Sequence, residues 1–239
     1  METEISVLAL TAASLAFLHT ILGPDHYVPF VMMAKARKWS YIKTAWITFL
    51  CGLGHVGSSV ILGIIGISLG LAINKLTNFE GFRGNIAAWF LIAFGLIYFA
   101  WGLRKALKGK KHTHKHLHSN GTTHSHEHSH KDSHAHVHQS KGNKKEITPW
   151  ILFTIFVLGP CEPLIPILMY PAAKSSWSSV VLVAGIFSII TIATMILAVG
   201  FLLYGIKYLP GKLAIERYMH AIAGATICFC GVSIQFLGL

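Results

Sequence analysis

Hydrophobic residues in this chain are gathered into six long runs separated by polar segments. The runs cover residues 4–23, 44–72, 85–103, 149–172, 178–206 and 213–238. A helix that crosses the hydrocarbon core of a bilayer needs roughly 20 apolar residues, and each run is close to or above that length. The pattern therefore predicts an all-α integral membrane protein with six transmembrane helices.

A repeat with an offset of 136 residues relates the first three runs to the last three. Leu22-Gly23-Pro24 aligns with Leu158-Gly159-Pro160 in this frame. Because each half has three helices, the second half would cross the membrane in the opposite direction, and we expect two inverted repeats. The domain organisation is then a first repeat over 1–103, a linking loop over 104–148 and a second repeat over 149–239.

Glycine and proline interrupt the first helix of each predicted repeat, at Gly23-Pro24 and at Gly159-Pro160. Proline has no amide hydrogen, and its ring clashes with the preceding turn of a helix. Inside a bilayer such breaks are tolerated only against protein or a water-filled cavity, and paired breaks in repeats are typical of transporter substrate sites. The first break also separates His19 from His26, which a straight helix would hold about 10 Å apart. We therefore expect the break to bring these two rings together.

Ionisable residues are concentrated at the two breaks, although such residues are rare within membranes and are functional candidates by default. Asp25 and Glu162 are the acidic residues that lie at the two breaks. We expect Asp25, His26, Cys161 and Glu162 to face one cavity, while His55 either binds an ion or orients a ligand. Imidazole and carboxylate groups suit divalent transition metals. The predicted metal ligands are His19, Asp25, His26, His55, Cys161 and Glu162.

Composition supports the membrane class, since 53% of the residues are hydrophobic, 12% are charged and the mean hydropathy is +0.57. The net charge of +11 lies mostly in loops, which indicates topology rather than nucleic-acid binding. Nearly all lysines and arginines lie in the loops 24–43, 104–148 and 207–217, whereas the other loops hold only three, Arg83 among them. The positive-inside rule predicts a plasma (inner) membrane protein with these basic loops in the cytoplasm and both termini outside.

The loop 104–148 differs in composition from the rest of the chain. It has no apolar periodicity, so we expect it to be disordered. Eleven of the 15 histidines lie in it, many of them at alternate positions, and histidine-rich tracts bind transition metals. The predicted accessory metal-binding residues are His112, His114, His116, His118, His124, His126, His128, His130, His134, His136 and His138.

The order of these motifs resembles the nickel/cobalt transporter superfamily, in particular its NicO and UreH-like (urease accessory transmembrane) branches. The resemblance is carried by His19…Asp25-His26, by Leu53-Gly54-His55, by the histidine-rich loop and by Gly159-Pro160-Cys161-Glu162-Pro163. It implies a metal permease of six to eight helices. The sequence departs from the signature of that family by one additional residue between His19 and Asp25.

These observations favour a secondary transporter of a divalent transition-metal cation, such as nickel, cobalt or zinc. The metal ion would be the substrate, and we expect no organic cofactor, no enzyme activity and no nucleic-acid partner; a homo-oligomer stays open. The alternatives are an anion transporter of the sulfite-exporter type and a metal-handling membrane accessory protein. A thiol redox conduit is the least favoured reading, because only the second break carries a cysteine.

Overall fold

The structure, a computed structural model, describes residues 2–108, 112–117, 123–128, 147–173, 176–207 and 213–237. Within these ranges the chain forms eight α-helices, one 3-10 turn at Pro24–His26 and two strands. The helices are α1 (Glu2–Leu22), α2 (Val28–Arg37), α3 (Tyr41–Ser68), α4 (Ile73–Lys108), α5 (Thr148–Leu158), α6 (Leu164–Ala173), α7 (Trp177–Lys207) and α8 (Leu213–Leu237). The strands are β1 (His112–Leu117) and β2 (Thr123–His128).

Five of these helices, α1, α3, α4, α7 and α8, are long and apolar enough to cross a membrane. The chain is therefore an integral membrane protein. The predicted span over 149–172 is instead two short helices, α5 and α6, because Pro160 and Pro163 prevent a regular helix between them. The predicted count of six transmembrane helices is accordingly not confirmed.

The offset of 136 residues also relates the helices themselves. It separates α2 from α6 at both ends, and it separates the first residues of α3 and α7. The helix contacts also obey the repeat. Helix α1 packs on α7, and its counterpart α5 packs on α3. Helix α2 packs on α8, and its counterpart α6 packs on α4. This is the pattern expected of two structural repeats. The inverted orientation of the repeats in a membrane stays a prediction.

Helix α4 begins well before the apolar run that predicts it. The run starts at residue 85, whereas α4 starts at Ile73. Glu80 and Arg83 consequently lie inside a helix and are buried, although the charge pattern places Arg83 in a loop. The two side chains form an ion pair with each other, and this pairing allows two charged groups in an apolar surrounding.

Helices α4 and α8 pack against each other at very short range. A Cβ atom on Gly95 would lie 2.4 Å from the backbone nitrogen of Cys228, and one on Gly224 would lie 2.2 Å from the backbone nitrogen of Phe99. Such distances mean that the two helices are in backbone contact, which small residues allow in membranes. The last helix of each half therefore packs directly against its counterpart in the other half.

Within the loop 104–148 the structure describes the end of α4, the backbone of β1 and β2, and the start of α5. The strands pair antiparallel, with His112 opposite His128 and His116 opposite His124. These residues form strands, whereas we expect disorder. The physical reason is that histidines at every second position match the two-residue period of a strand. The remaining predicted histidines, His118, His130, His134, His136 and His138, lie outside the described residues. Metal binding by the loop stays a prediction.

The contact between α4 and α8 can be tested with Gly95→Ala. The added methyl group would meet the backbone of Cys228, and overpacking of this kind costs about 1–3 kcal/mol. We expect a lower melting temperature for the detergent-solubilised protein, followed by circular dichroism. The control is Gly200→Ala on α7, an exposed position where a Cβ atom would meet nothing within 4 Å. Equal melting of both variants would contradict the assignment.

Candidate functional site

The first helix break folds His26 back toward the end of α1. The amide of His26 donates to the carbonyl oxygen of Gly23 at 3.1 Å, which closes the turn Pro24–His26. A Cβ atom on Gly23 would lie 2.6 Å from Nδ1 of His26, so the missing side chain of this glycine is what leaves room for the ring. The break thus does what the sequence predicts, because it places His26 beside His19 with ring centroids 4.7 Å apart.

Three histidine rings meet at this point. His55 on α3 joins the pair, with its ring centroid 5.0 Å from that of His26 and 6.4 Å from that of His19. One ligand nitrogen from each ring lies within 4.8 Å of the other two, and Nε2 of each ring is buried without a hydrogen-bond partner in the part of the chain described. A metal with bonds of about 2.0–2.1 Å holds its nitrogen ligands about 3.4 Å apart, so a small inward shift would complete the contact.

Asp25 orients His26. Nδ1 of His26 lies 3.1 Å from the carbonyl oxygen of Gly23 and 3.2 Å from the Asp25 carboxylate. Both of these partners are acceptors only, so Nδ1 carries the hydrogen and donates it. In a neutral ring, Nε2 is then left with its lone pair available. A carboxylate behind a histidine in this manner fixes the tautomer and ring orientation of metal-binding histidines.

The second helix break supplies the wall behind His55. A Cβ atom on Gly159 would lie 3.2 Å from Nδ1 of His55, and the ring of Phe156 packs at 6.2 Å between centroids. Pro160 has no amide hydrogen, so the carbonyl of Phe156 accepts from the amide of Gly159 at 3.1 Å instead. The first half of the chain therefore supplies the histidines, and the second half encloses one of them.

A cavity of about 640 Å³ adjoins the three histidines and is lined by both breaks. Asp25 and His26 line it from the first break, and the exposed Glu162 lines it from the second. Cys161 is not among the lining residues. It is fully buried in an apolar cluster with residues such as Ala16 and Leu164. Of the predicted ligands, the structure therefore brings His19, His26 and His55 together, and Asp25 lies beside His26. Glu162 lies on the cavity wall, and Cys161 lies outside the cavity.

The sequence pattern misses the buried pair of Glu80 and Arg83. Nη1 of Arg83 lies 2.5 Å from Oε1 of Glu80, and the Glu80 side chain is only 1% exposed. Opposite charges three residues apart, just before a predicted span, are the signal that could have identified the pair, since such residues lie on one helix face. The pair contacts the second break rather than the histidines.

Comparison with protein families gives one finding. The family model described as "Cytochrome C biogenesis protein transmembrane region" matches residues 28–233 of the chain. This range contains His55 and begins just after His26. It is not a nickel/cobalt transporter family, so the resemblance drawn from the short motifs is wrong. Those motifs are ionisable residues at helix breaks, a feature that unrelated broken helices in membranes can share. No curated protein and no solved structure matches the sequence.

The role of Asp25 can be tested with Asp25→Asn. The amide keeps the shape of the side chain but removes the negative charge behind His26. Loss of such an orienting partner weakens metal affinity by about 10–100-fold, and we expect this for Co²⁺ binding to the purified protein, followed by visible absorption. Glu216→Gln makes the same chemical change at an exposed position of α8 and serves as the control. Unchanged affinity in Asp25→Asn would exclude the orienting role.

Proposed function

The chain belongs to the family of cytochrome c biogenesis protein transmembrane regions, and on this premise we propose that it transports a divalent transition-metal ion, bound at His19, His26 and His55. The single observation that carries the proposal is the cluster of three histidine rings, which offer ligand nitrogens within 4.8 Å of one another and whose buried Nε2 atoms have no hydrogen-bond partner among the described residues. The family match supports a membrane role, and the chemistry of the cluster supports the metal.

A metal ion would account for the cluster energetically. A buried polar atom without a hydrogen bond costs about 1–3 kcal/mol, and each of the three neighbouring rings has such an atom in the described part of the chain. One cation would bind all three lone pairs at once. Three imidazoles and a nearby carboxylate suit zinc-class divalent ions better than Mg²⁺ or Ca²⁺, which prefer oxygen ligands. The thiol of Cys161 lies in the apolar cluster, so no soft ligand joins the described site.

The position of the cluster supports transport. The three histidines supply fewer ligands than a closed four-coordinate zinc site, and the adjoining cavity offers a path to the open position. Interrupted helices at corresponding positions of two repeats are typical of transporters, in which one half rocks against the other. Asp25 would partly offset the charge of the dehydrated ion.

A second candidate function is an accessory role, in which the site hands its metal ion to a partner protein. The description of the matching family, cytochrome c biogenesis, favours this candidate because it concerns the maturation of another protein. A thiol redox conduit gains less support. Asp25 aligns with Cys161, so the first break has no cysteine to pair with the one in the second.

The first test is stoichiometric metal binding by the full-length chain. Replacing the eleven loop histidines by asparagine would remove their contribution while keeping the length of the chain. In this background we expect one Co²⁺ site, with affinity reduced by more than about 100-fold in His26→Ala, since even the loss of an orienting partner costs about 10–100-fold. His220→Ala is the control, because His220 contacts Tyr98 and Lys105 instead of the cluster.

Metal flux separates the two candidate functions. Proteoliposomes loaded with a zinc-sensitive dye would be exposed to Zn²⁺, with the wild-type chain and His26→Ala compared. Flux in the wild type that is lost in His26→Ala supports transport. Binding without flux would favour the accessory role. Absence of a Co²⁺ site in the asparagine background would contradict both.

A further inference from the structure

The buried pair of Glu80 and Arg83 lies within hydrogen-bonding distance of the second helix break. Both side chains come from α4, and they reach the backbone at the end of α5 and just after it. Nη2 of Arg83 donates to the carbonyl oxygen of Val157 at 2.7 Å. The amide of Cys161 donates to Oε2 of Glu80 at 3.2 Å. A charged pair is thus bonded to both sides of the break.

These two contacts replace one missing helical hydrogen bond. In a continuous α-helix the amide of Cys161 would donate to the carbonyl of Val157, four residues earlier. The break separates them, and neither group could be satisfied by lipid. Glu80 accepts from the stranded amide, and Arg83 donates to the stranded carbonyl. Ser59 of α3 adds a further acceptor, with its Oγ 3.3 Å from the amide of Cys161.

The first break satisfies the corresponding carbonyl in another way. Ile21 aligns with Val157 in the repeat, and its carbonyl accepts from the hydroxyl of Tyr27 at 3.1 Å. Tyr27 belongs to the same break, so this contact is local. The second break instead depends on side chains from α4. Its position is therefore tied to the interior of the helix bundle.

The ion pair also connects to His55 through two routes. The first route is the break itself, because Phe156 and Gly159 contact the His55 ring. The second route is through α3, where Nη2 of Arg83 donates to Oγ of Ser58 at 2.6 Å. The Ser58 hydroxyl in turn donates to the backbone carbonyl of His55 at 2.8 Å. Both routes reach the histidine that comes from α3.

We propose that Arg83, paired with Glu80, is a positioning residue that holds the second helix break against His55 and thereby sets the metal affinity of the three-histidine site. This inference rests on the proposed function. Arg83 does not contact the ion, and its effect passes through Val157 and Ser58. The guanidinium is suited to this role because its rigid fork can bond Glu80, Ser58 and Val157 together.

The test is Arg83→Lys, measured in the background without loop histidines. Lysine keeps a positive charge beside Glu80, but a single ammonium on a flexible stem does not reproduce the fork. We expect Co²⁺ affinity to fall about 10–100-fold with a changed visible absorption spectrum. We also expect a lower melting temperature for the metal-free protein, because the carbonyl of Val157 loses its donor. The spectrum reports ligand geometry, which a purely structural role for Arg83 would leave unchanged.

Arg217→Lys is a matched control. Arg217 also donates to a backbone carbonyl, that of Ala106, but at the far end of α4. We expect wild-type Co²⁺ affinity for this variant. Ser58→Ala is the second variant, because it removes the link from Arg83 through Ser58 to the backbone of His55 and keeps the bond from Arg83 to Val157. We expect weaker Co²⁺ binding with little change in melting temperature.

The outcomes are distinguishable. Folded Arg83→Lys protein with wild-type affinity and spectrum would overturn the positioning role and leave the proposed function intact. If Arg83→Lys does not fold, Ser58→Ala decides, and wild-type affinity in that variant would overturn the inference. A wild-type chain that binds no Co²⁺ at the three histidines would refute the proposed function and this inference together.

Discussion

A helix that stops inside a bilayer leaves backbone amides and carbonyls that lipid cannot bond, and this constraint organises the molecule. Two helices of the chain are interrupted, and at both places protein side chains make hydrogen bonds to backbone groups that the helix leaves unpaired. At the first break the hydroxyl of Tyr27 bonds the carbonyl of Ile21. At the second break Glu80 and Arg83 bond the groups that the helix leaves unpaired. The cavity and the histidine cluster lie at these breaks, because a continuous helix would hold His19 and His26 about 10 Å apart.

The two repeats share a backbone plan but divide the chemistry unequally. The residues aligned with His19, His26 and His55 are Ile155, Glu162 and Thr191, so only the first half can form a three-imidazole site. The second half contributes the enclosing wall, which Phe156 and Gly159 form beside His55. In the proposed transporter, one half would hold the ion while the other half moves against it. The charged pair on α4 would then determine how firmly the wall stays in place.

Family membership and the site are independent sources of information. The family match begins at residue 28, so it includes His55 but neither His19 nor His26. Membership shows a membrane region related to cytochrome c biogenesis proteins, and the metal chemistry rests on the geometry of the cluster. The nickel/cobalt resemblance failed because it used short motifs. Of the residues in those motifs, His19, His26 and His55 are nevertheless brought together by the fold, whereas Cys161 lies in an apolar cluster.

The sequence by itself determined the apolar helices, the two breaks, the offset between the halves and the approach of His26 to His19, because each follows from local composition and helix geometry. Only the tertiary structure decided that His55 completes the cluster, that Cys161 lies in an apolar cluster outside the cavity, and that Glu80 and Arg83 are buried. Hydropathy records the cost of burying each residue alone, and it therefore places charged residues in loops. That cost is offset only by a partner at the right distance, and such partners are set by packing between segments far apart in the chain.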